Sequence, residues 1–141
     1  MTTVLVCDDS PLARETLRRA VAGVPGVDRV TVAGSGEEVL SRWAGERPDL
    51  VLMDVRMPGL GGVEASRRLV ATYPEASVMM LTMAEDQDGV ARAVTSGARG
   101  YLVKDATREE LTATLSYALA EASCGARHGV PAPRRWALHQ R

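Results

Sequence analysis

The chain has 141 residues, which suits one domain with a single hydrophobic core and a short tail. Apolar residues make up 45% and charged residues 25% of it, as in soluble globular proteins, and no apolar run approaches the ~20 residues that cross a bilayer. The net charge is −1, the N-terminus lacks the basic region of a signal peptide, and two cysteines do not make a disulfide framework. We therefore expect a cytoplasmic protein with no membrane partner.

Five short apolar runs alternate with five helical patterns along the chain. The runs are continuously apolar, as buried parallel strands are. This alternation predicts a doubly wound α/β fold, in which a five-stranded parallel sheet carries helices on both faces. The predicted strands are Thr3–Cys7, Arg29–Ala33, Leu50–Met53, Ser77–Leu81 and Gly100–Val103.

Local signals mark where several of the helices begin and end. Three begin with a serine that precedes a proline, or with a serine or threonine three residues before a glutamate, as in a capping box. Two end at turns that contain a proline. The start signals are Ser10-Pro11, Ser35 with Glu38, and Thr107 with Glu110, and the stop signals are residues 23–26 and Tyr73-Pro74.

Polar residues follow or end four of the five predicted strands. Asp8 and Asp9 follow the first strand, Asp54 the third, Thr82 the fourth and Lys104 the fifth. The carboxyl ends of parallel strands meet at one edge of a sheet, where ligands bind in folds of this class. Each residue alone has an ordinary explanation as a turn acid, a helix cap or a surface charge. Their coincidence at one edge favours a functional site.

The chemistry of these residues suits phosphoryl transfer. Three neighbouring carboxylates raise one another's pKa unless a cation lies among them, and Mg²⁺ binds carboxylates, water and phosphate oxygens together. Asp54 can then attack phosphorus and form an aspartyl-phosphate. Lys104 would offset charge on the transferred group, and the Thr82 hydroxyl would hold one of its oxygens. Lys104 is also the only lysine among 17 basic side chains.

Four stretches, in this order, resemble the response-regulator receiver family over roughly residues 1–122. The stretch from residue 97 to 106 is most similar to receivers that precede a LuxR/NarL-type helix-turn-helix domain. The opening and middle stretches resemble actinobacterial members of that group. The four matching stretches are residues 4–9, 52–59, 80–82 and 97–104.

The resemblance implies a flavodoxin-like receiver fold and a role for each acidic residue. Asp54 would be phosphorylated by a histidine kinase, so the domain would be a phosphoacceptor with slow autodephosphorylation at most, and not an enzyme. Asp9 and Asp54, with the backbone carbonyl of Arg56, would ligate Mg²⁺. Asp8 would act on the same metal mostly through water.

The resemblance also implies how phosphorylation is read. Thr82 and Lys104 would bind the phosphoryl group, and Tyr101 would be an aromatic switch whose rotamer follows Thr82. The fourth helix, fifth strand and fifth helix would form the output face. Activation would favour a homodimer, and DNA would be bound only through an output domain that is absent from this chain.

Three positions depart from the usual family pattern. The residue after the active-site lysine is usually proline, but here it is Asp105, which leaves the geometry of the Lys104–Asp105 peptide bond open. The residue after Thr82 is often small, but here it is Met83, which would narrow access to the phosphate. An acid is common at the position of Gly61. We expect these departures to affect the rates of phosphorylation and dephosphorylation more than the assignment to the receiver family.

Residues 123–141 differ in composition from the rest of the chain. The last 20 residues contain four arginines and no acid, together with glycine and proline. We expect a disordered linker that does not bind a specific DNA sequence, since a helix-turn-helix domain needs three or more helices. Either the chain is the receiver of a longer DNA-binding regulator, which the resemblance favours, or it is a stand-alone receiver with a basic tail.

Two other functions fit parts of the pattern. The same fold can serve as a pseudo-receiver, a protein-interaction or dimerisation module that phosphate does not regulate, although the complete set of polar residues argues against it. A metal-dependent phosphatase with an aspartate nucleophile needs a second acid shortly after that residue. Arg56 occupies the position two residues after Asp54, which argues against a phosphatase.

Overall fold

The computed structural model describes residues 1–83, 86–94 and 97–124 of the chain. In this part, five parallel strands alternate with five helices. The elements are β1 (Thr3–Cys7), α1 (Pro11–Ala22), β2 (Arg29–Ala33), α2 (Gly36–Glu46), β3 (Leu50–Asp54), α3 (Gly62–Thr72), β4 (Val78–Thr82), α4 (Gln87–Val94), β5 (Gly100–Val103) and α5 (Arg108–Cys124). The strand order β2-β1-β3-β4-β5 places β3 at the centre of the sheet. The predicted α/β fold is confirmed.

The sheet separates two hydrophobic cores, because successive side chains of a strand point to opposite faces. In β1, Leu5 belongs to one core and Val6 to the other. Buried side chains of α2 and α3 complete the first core, including Trp43. Buried side chains of α1 and α5 complete the second, including Val21 and Leu115. Helices therefore cover both faces, and the carboxyl ends of the strands are left as the edge where a ligand can bind.

The predicted ends of the helices are largely confirmed. The Ser10 hydroxyl accepts the N–H of Ala13 at 3.3 Å and caps α1. Thr107 and Glu110 form a complete capping box, with each side chain accepting the backbone N–H of the other at 2.8 and 3.1 Å. Helix α1 ends at the turn that begins with Gly23, and α3 ends at Thr72, with Tyr73 before Pro74 as its C-cap, as predicted.

The capping box predicted at the start of α2 forms only in part. The Ser35 hydroxyl accepts the N–H of Glu38 at 3.1 Å, as expected. The Glu38 carboxylate, however, accepts the N–H of Gly34 at 2.8 Å and pairs with Arg42 at 2.7 Å. An arginine one turn further along the helix therefore helps to hold this carboxylate away from the N–H of Ser35.

Two strands extend further toward the site than predicted. Asp54 is the last residue of β3 and pairs with Leu81, while Thr82 is the last residue of β4 and pairs with Val103. Strand β4 begins one residue after the predicted Ser77. The sequence predicts Asp54 and Thr82 directly at the ends of these strands, and their backbones take part in the ladder, so the sheet itself holds both residues.

Helix α5 continues to Cys124, two residues beyond the predicted domain boundary at residue 122. The remainder of the predicted tail, residues 125–141, lies outside the described residues. Among the helices of the described residues, none is long and apolar enough to cross a membrane.

Candidate functional site

The carboxyl edge of the sheet brings the predicted polar residues together. Asp8 follows β1, and Asp54 and Thr82 end β3 and β4. The backbone N–H of Lys104, directly after β5, donates to the carbonyl oxygen of Thr82 at 2.8 Å. Four neighbouring strands therefore contribute to one site. The backbone hydrogen bonds between these strands determine where along the sheet edge each side chain lies.

The three acidic residues predicted at the metal site form a compact cluster. Carboxylate oxygens of Asp8, Asp9 and Asp54 all lie within 4.8 Å of one another. Asp8 is only 1% exposed and Asp54 only 4%, whereas Asp9 is open to solvent. A set of oxygen donors with one open side is the kind of site that a hard cation such as Mg²⁺ occupies, with water in the remaining positions.

Lys104 joins two of these carboxylates. Its Nζ atom lies 2.9 Å from Oδ2 of Asp8 and 3.1 Å from Oδ2 of Asp54. The side chain of Lys104 is 22% exposed and so only partly buried. The only lysine of the chain is thus placed where it can neutralise charge on the phosphoacceptor candidate and on any group bound there.

Burial has a large effect on the pKa values of Asp54 and Lys104. Burial is the main reason that the pKa of the Asp54 carboxyl is raised from 3.8 to about 6; Lys104 opposes this rise and the nearby Asp8 contributes to it. Burial also works against the charge on Lys104, but its pKa is raised overall because it faces both Asp8 and Asp54. The site therefore holds more negative than positive charge, which fits a bound cation.

Two neighbouring residues donate hydrogen bonds to Asp8. Its Oδ1 accepts the N–H of Ser10 at 2.9 Å, and its backbone carbonyl accepts a hydrogen bond from Nη1 of Arg14 at 2.9 Å. Arg14 was not identified from the sequence. The sequence could have indicated this contact, because Arg14 lies one helical turn after the N-cap Ser10. A side chain at that position can reach back to the end of β1.

The loop between β3 and α3 packs tightly against Asp54. A Cβ atom at Gly62 would overlap the backbone carbonyl oxygen of Asp54, so only glycine fits there. Gly59 and Gly61 have φ angles of 77° and 79°, which glycine adopts without strain. Glu37 of α2 accepts the N–H of Leu60 at 3.2 Å and holds the outer part of the loop. The loop between β3 and α3 therefore needs its glycines in order to pack against Asp54.

The two predicted switch residues are both buried. Thr82 is 2% exposed, and within the described part of the chain its hydroxyl donates only a long hydrogen bond of 3.5 Å to the carbonyl oxygen of Met83. Tyr101 is 7% exposed and packs in the first core, which includes Met80 and Val78 of β4. The ring of Tyr101 is thus turned inward in this structure, on the strand next to the one that ends at Thr82.

The structure also shows the positions at which this sequence departs from the usual family pattern. The described part of the chain contains no cis peptide bond, so the Lys104–Asp105 bond is trans. Met83 is 46% exposed at the mouth of the site. Asp105 is exposed and lies in the turn between β5 and α5.

Arg56, predicted to contribute its backbone carbonyl to a metal, directs its side chain elsewhere. Its backbone N–H lies 3.4 Å from Oδ1 of Asp54, while its guanidinium pairs with Asp86 through two contacts of 2.7 Å. Asp86 immediately precedes α4. Asp86 carries no signal in the sequence, because no local pattern relates residues 30 positions apart.

Comparison with known sequences agrees with this arrangement. Residues 4–116 match the response regulator receiver domain family. The chain is 41% identical over 111 residues to the response regulator GacA of Pseudomonas viridiflava, an alignment that covers 79% of this chain and 52% of that protein. The chain therefore spans about half the length of the curated relatives that it matches.

Solved structures show the same likeness. A two-component response regulator of the LuxR family from an Aurantimonas species has a TM-score of 0.77 and 31% identity, covering 85% of this chain and 86% of that chain. The signal receiver domain of a response regulator named NarL from Mycobacterium tuberculosis has a TM-score of 0.73 and 34% identity, covering 83% and 95%. These relatives agree with the LuxR/NarL-type resemblance of residues 97–106. The chain belongs to the response regulator receiver domain family of two-component systems.

Proposed function

We propose that this receiver domain accepts a phosphoryl group on Asp54 in a reaction that depends on Mg²⁺. The observation that carries the proposal is the position of the Asp54 carboxylate, which lies 3.1 Å from the Lys104 ammonium and inside a cluster of three acids. The donor is a phosphorylated histidine kinase, or a small phosphodonor in vitro. The domain acts as a signal receiver, and not as a catalyst for other substrates.

Each residue of the site has a definite part in the transfer. A carboxylate oxygen of Asp54 attacks phosphorus, the bond from phosphorus to the donor breaks, and the donor leaves with its electron pair. Lys104 offsets charge on the transferred oxygens, and the Thr82 hydroxyl donates to one of them. Asp9 and Asp54, with the Arg56 carbonyl, would hold Mg²⁺, and Asp8 would act on the same metal mostly through water. When bound, Mg²⁺ supplies positive charge to the phosphoryl oxygens.

The acidity of Asp54 supports this dependence on a cation. With a pKa of about 6, the carboxyl is ionised at neutral pH, but burial makes that charge costly. A cation among the three carboxylates lowers the cost and keeps Asp54 in the nucleophilic form. The acidic cluster would repel a phosphate group if Lys104 and a cation did not balance its charge.

The likeness of the chain to other response regulators supports a proposal about its output. We propose that phosphorylation draws Thr82 toward the phosphoryl group and shifts the face formed by α4, β5 and α5. The shift favours a homodimer and controls transcription in the cytoplasm through a DNA-binding domain outside this chain. Residues 123–141 would link the receiver to that domain. The likeness of the chain to a two-component response regulator of the LuxR family supports this proposal.

Intact mass after incubation with acetyl phosphate tests the proposal. We expect one phosphoryl group per chain with Mg²⁺, none in the presence of EDTA, and none in Asp54→Asn. Labelling of the Asn variant would refute the assignment of Asp54. No labelling of the wild type, together with no binding of beryllofluoride, would favour the pseudo-receiver.

A further inference from the structure

The Arg56 side chain forms a two-pronged ion pair with Asp86. Its Nε and Nη2 atoms lie 2.7 Å from Oδ2 and Oδ1 of Asp86, so both nitrogens donate to one carboxylate. Paired hydrogen bonds of this kind are stronger than neutral ones and fix the mutual orientation of the two groups. Asp88 lies further from the same guanidinium, with Oδ2 3.6 Å from Nη2. Arg56 is therefore directed firmly toward one carboxylate.

Asp86 is also the N-terminal cap of α4. Its Oδ1 accepts the N–H of Gly89 at 2.9 Å, which satisfies one of the free donors of the first turn. A Cβ atom at Gly89 would overlap the Asp86 carboxylate, so glycine lets the cap approach closely. The side chain of Asp86 is only 16% exposed. One carboxylate thus holds Arg56 and the first turn of α4 at the same time.

The backbone of residue 56 is tied to the phosphoacceptor candidate. The N–H of Arg56 lies 3.4 Å from Oδ1 of Asp54, two residues earlier. A continuous path of hydrogen bonds therefore runs from Asp54 through Arg56 and Asp86 to Gly89 of α4. This path does not include Thr82 or Tyr101.

We propose that the Arg56–Asp86 ion pair is a positioning device that couples Mg²⁺ binding at the carboxylate cluster to the N-terminus of α4. The inference rests on the proposed function, because it needs Mg²⁺ beside the Arg56 carbonyl. Coupling of two sites is reciprocal. If Mg²⁺ strengthens the capped form of α4, then loss of the ion pair weakens Mg²⁺ binding by the same factor.

Two substitutions that remove charges of opposite sign distinguish a positioning effect on Mg²⁺ binding from a simple electrostatic effect. Asp86→Asn keeps an oxygen that accepts the Gly89 N–H but removes a negative charge, and Arg56→Gln removes a positive charge. Simple electrostatics predicts that Mg²⁺ binds more weakly to Asp86→Asn and more tightly to Arg56→Gln. Positioning predicts weaker binding to both, because each variant loses the same ion pair.

Arg68→Gln is the matched control. Arg68 is 58% exposed, close to the 55% of Arg56, and it pairs with Glu64 at 3.1 Å within one helix, so it joins no two elements. The experiment is a Mg²⁺ titration of each full chain by calorimetry, with exchange of the Gly89 amide followed by NMR at zero and saturating Mg²⁺. Both variants should bind Mg²⁺ about threefold to tenfold more weakly than the wild type and the control, a modest coupling because Arg56 is half exposed.

The double variant and the Gly89 amide complete the test. Arg56→Gln with Asp86→Asn should bind Mg²⁺ as either single variant does, since one interaction is lost only once. Mg²⁺ should slow Gly89 exchange in the wild type and in Arg68→Gln, but not in the other variants. Wild-type Mg²⁺ affinity in Asp86→Asn and Arg56→Gln, or tighter binding to Arg56→Gln, overturns the coupling and leaves the proposed function standing. No Mg²⁺ binding to the wild type overturns both.

Discussion

Gly62 lies directly against the backbone carbonyl oxygen of Asp54, with no room for a Cβ atom between them. The first residue of α3 is thereby packed closely against the last residue of β3. Through this contact, the packing of α3 sets the position of the residue that we propose is phosphorylated.

We therefore expect Gly62→Ala to disturb both stability and phosphorylation. The methyl group must displace the Asp54 carbonyl, and overpacking of this kind costs roughly 1–3 kcal/mol. Urea unfolding should show that loss, and phosphorylation by acetyl phosphate should be slower than in the wild type. Gly45→Ala is the control, because a Cβ atom there meets open space and alanine favours the helix. Equal stability of wild type and Gly62→Ala would contradict the observed packing.

The raised pKa of Asp54 makes stability depend on pH. Burial raises this pKa from 3.8 to about 6, so the folded domain binds the proton more tightly than the unfolded chain does. The resulting contribution to stability is complete below about pH 4 and is lost as the pH rises through about 6. Without metal, the free energy of unfolding should fall across this window by roughly 1–3 kcal/mol relative to Asp54→Asn. Urea unfolding at several pH values measures the difference, and parallel curves for the two proteins would argue against a buried, titrating Asp54.

Replacing Lys104 tests the charge balance of the site. Lys104→Met leaves Asp8 and Asp54 buried without their ammonium partner, and at neutral pH without Mg²⁺ it should cost roughly 1–3 kcal/mol of stability. Added Mg²⁺ should restore part of this loss, and so should acid, because protonated carboxyls need no cation. Lys104→Arg keeps the charge and is the control. A loss that persists unchanged at low pH would mean that the lysine acts through packing, and not through its charge.

Thr82→Ala separates phosphorylation from its readout. Among the residues that the structure describes, the hydroxyl makes only a long contact with the Met83 carbonyl, so it is available to a phosphoryl group. Its removal leaves Asp54 and Lys104 in place. The variant should still gain one phosphoryl group by intact mass. NMR shifts of β5 and α5 on beryllofluoride binding should be smaller than in the wild type. Identical shifts in both proteins would show that Thr82 does not carry the signal.

Local rules predicted much of this protein because they depend only on neighbours along the chain. Buried parallel strands are short and continuously apolar, and serine or threonine caps such as Ser10 and Thr107 mark helix starts at fixed spacing. A parallel sheet then brings the carboxyl ends of its strands to one edge, whatever the details of packing. Asp8, Asp54 and Lys104 could therefore be assigned to a common site from the sequence.

Strand ends were predicted less well, and for a physical reason. The predicted strands stop one residue short of Asp54 and Thr82, yet backbone hydrogen bonding does not depend on the side chain. Their pairing with neighbouring strands places both residues in the sheet. Only the register of the sheet, a long-range property, could decide this.

The remaining features of the site were decided by the tertiary structure alone. The Arg56–Asp86 pair joins residues 30 positions apart, and the fit of Gly62 against Asp54 depends on where α3 meets the sheet. Such contacts depend on distances of a few ångströms between elements, which spacing along the chain does not encode. The amino-acid sequence by itself thus determined which chemical groups reach the site, while the packing of α3 and α4 decided how firmly each group is held.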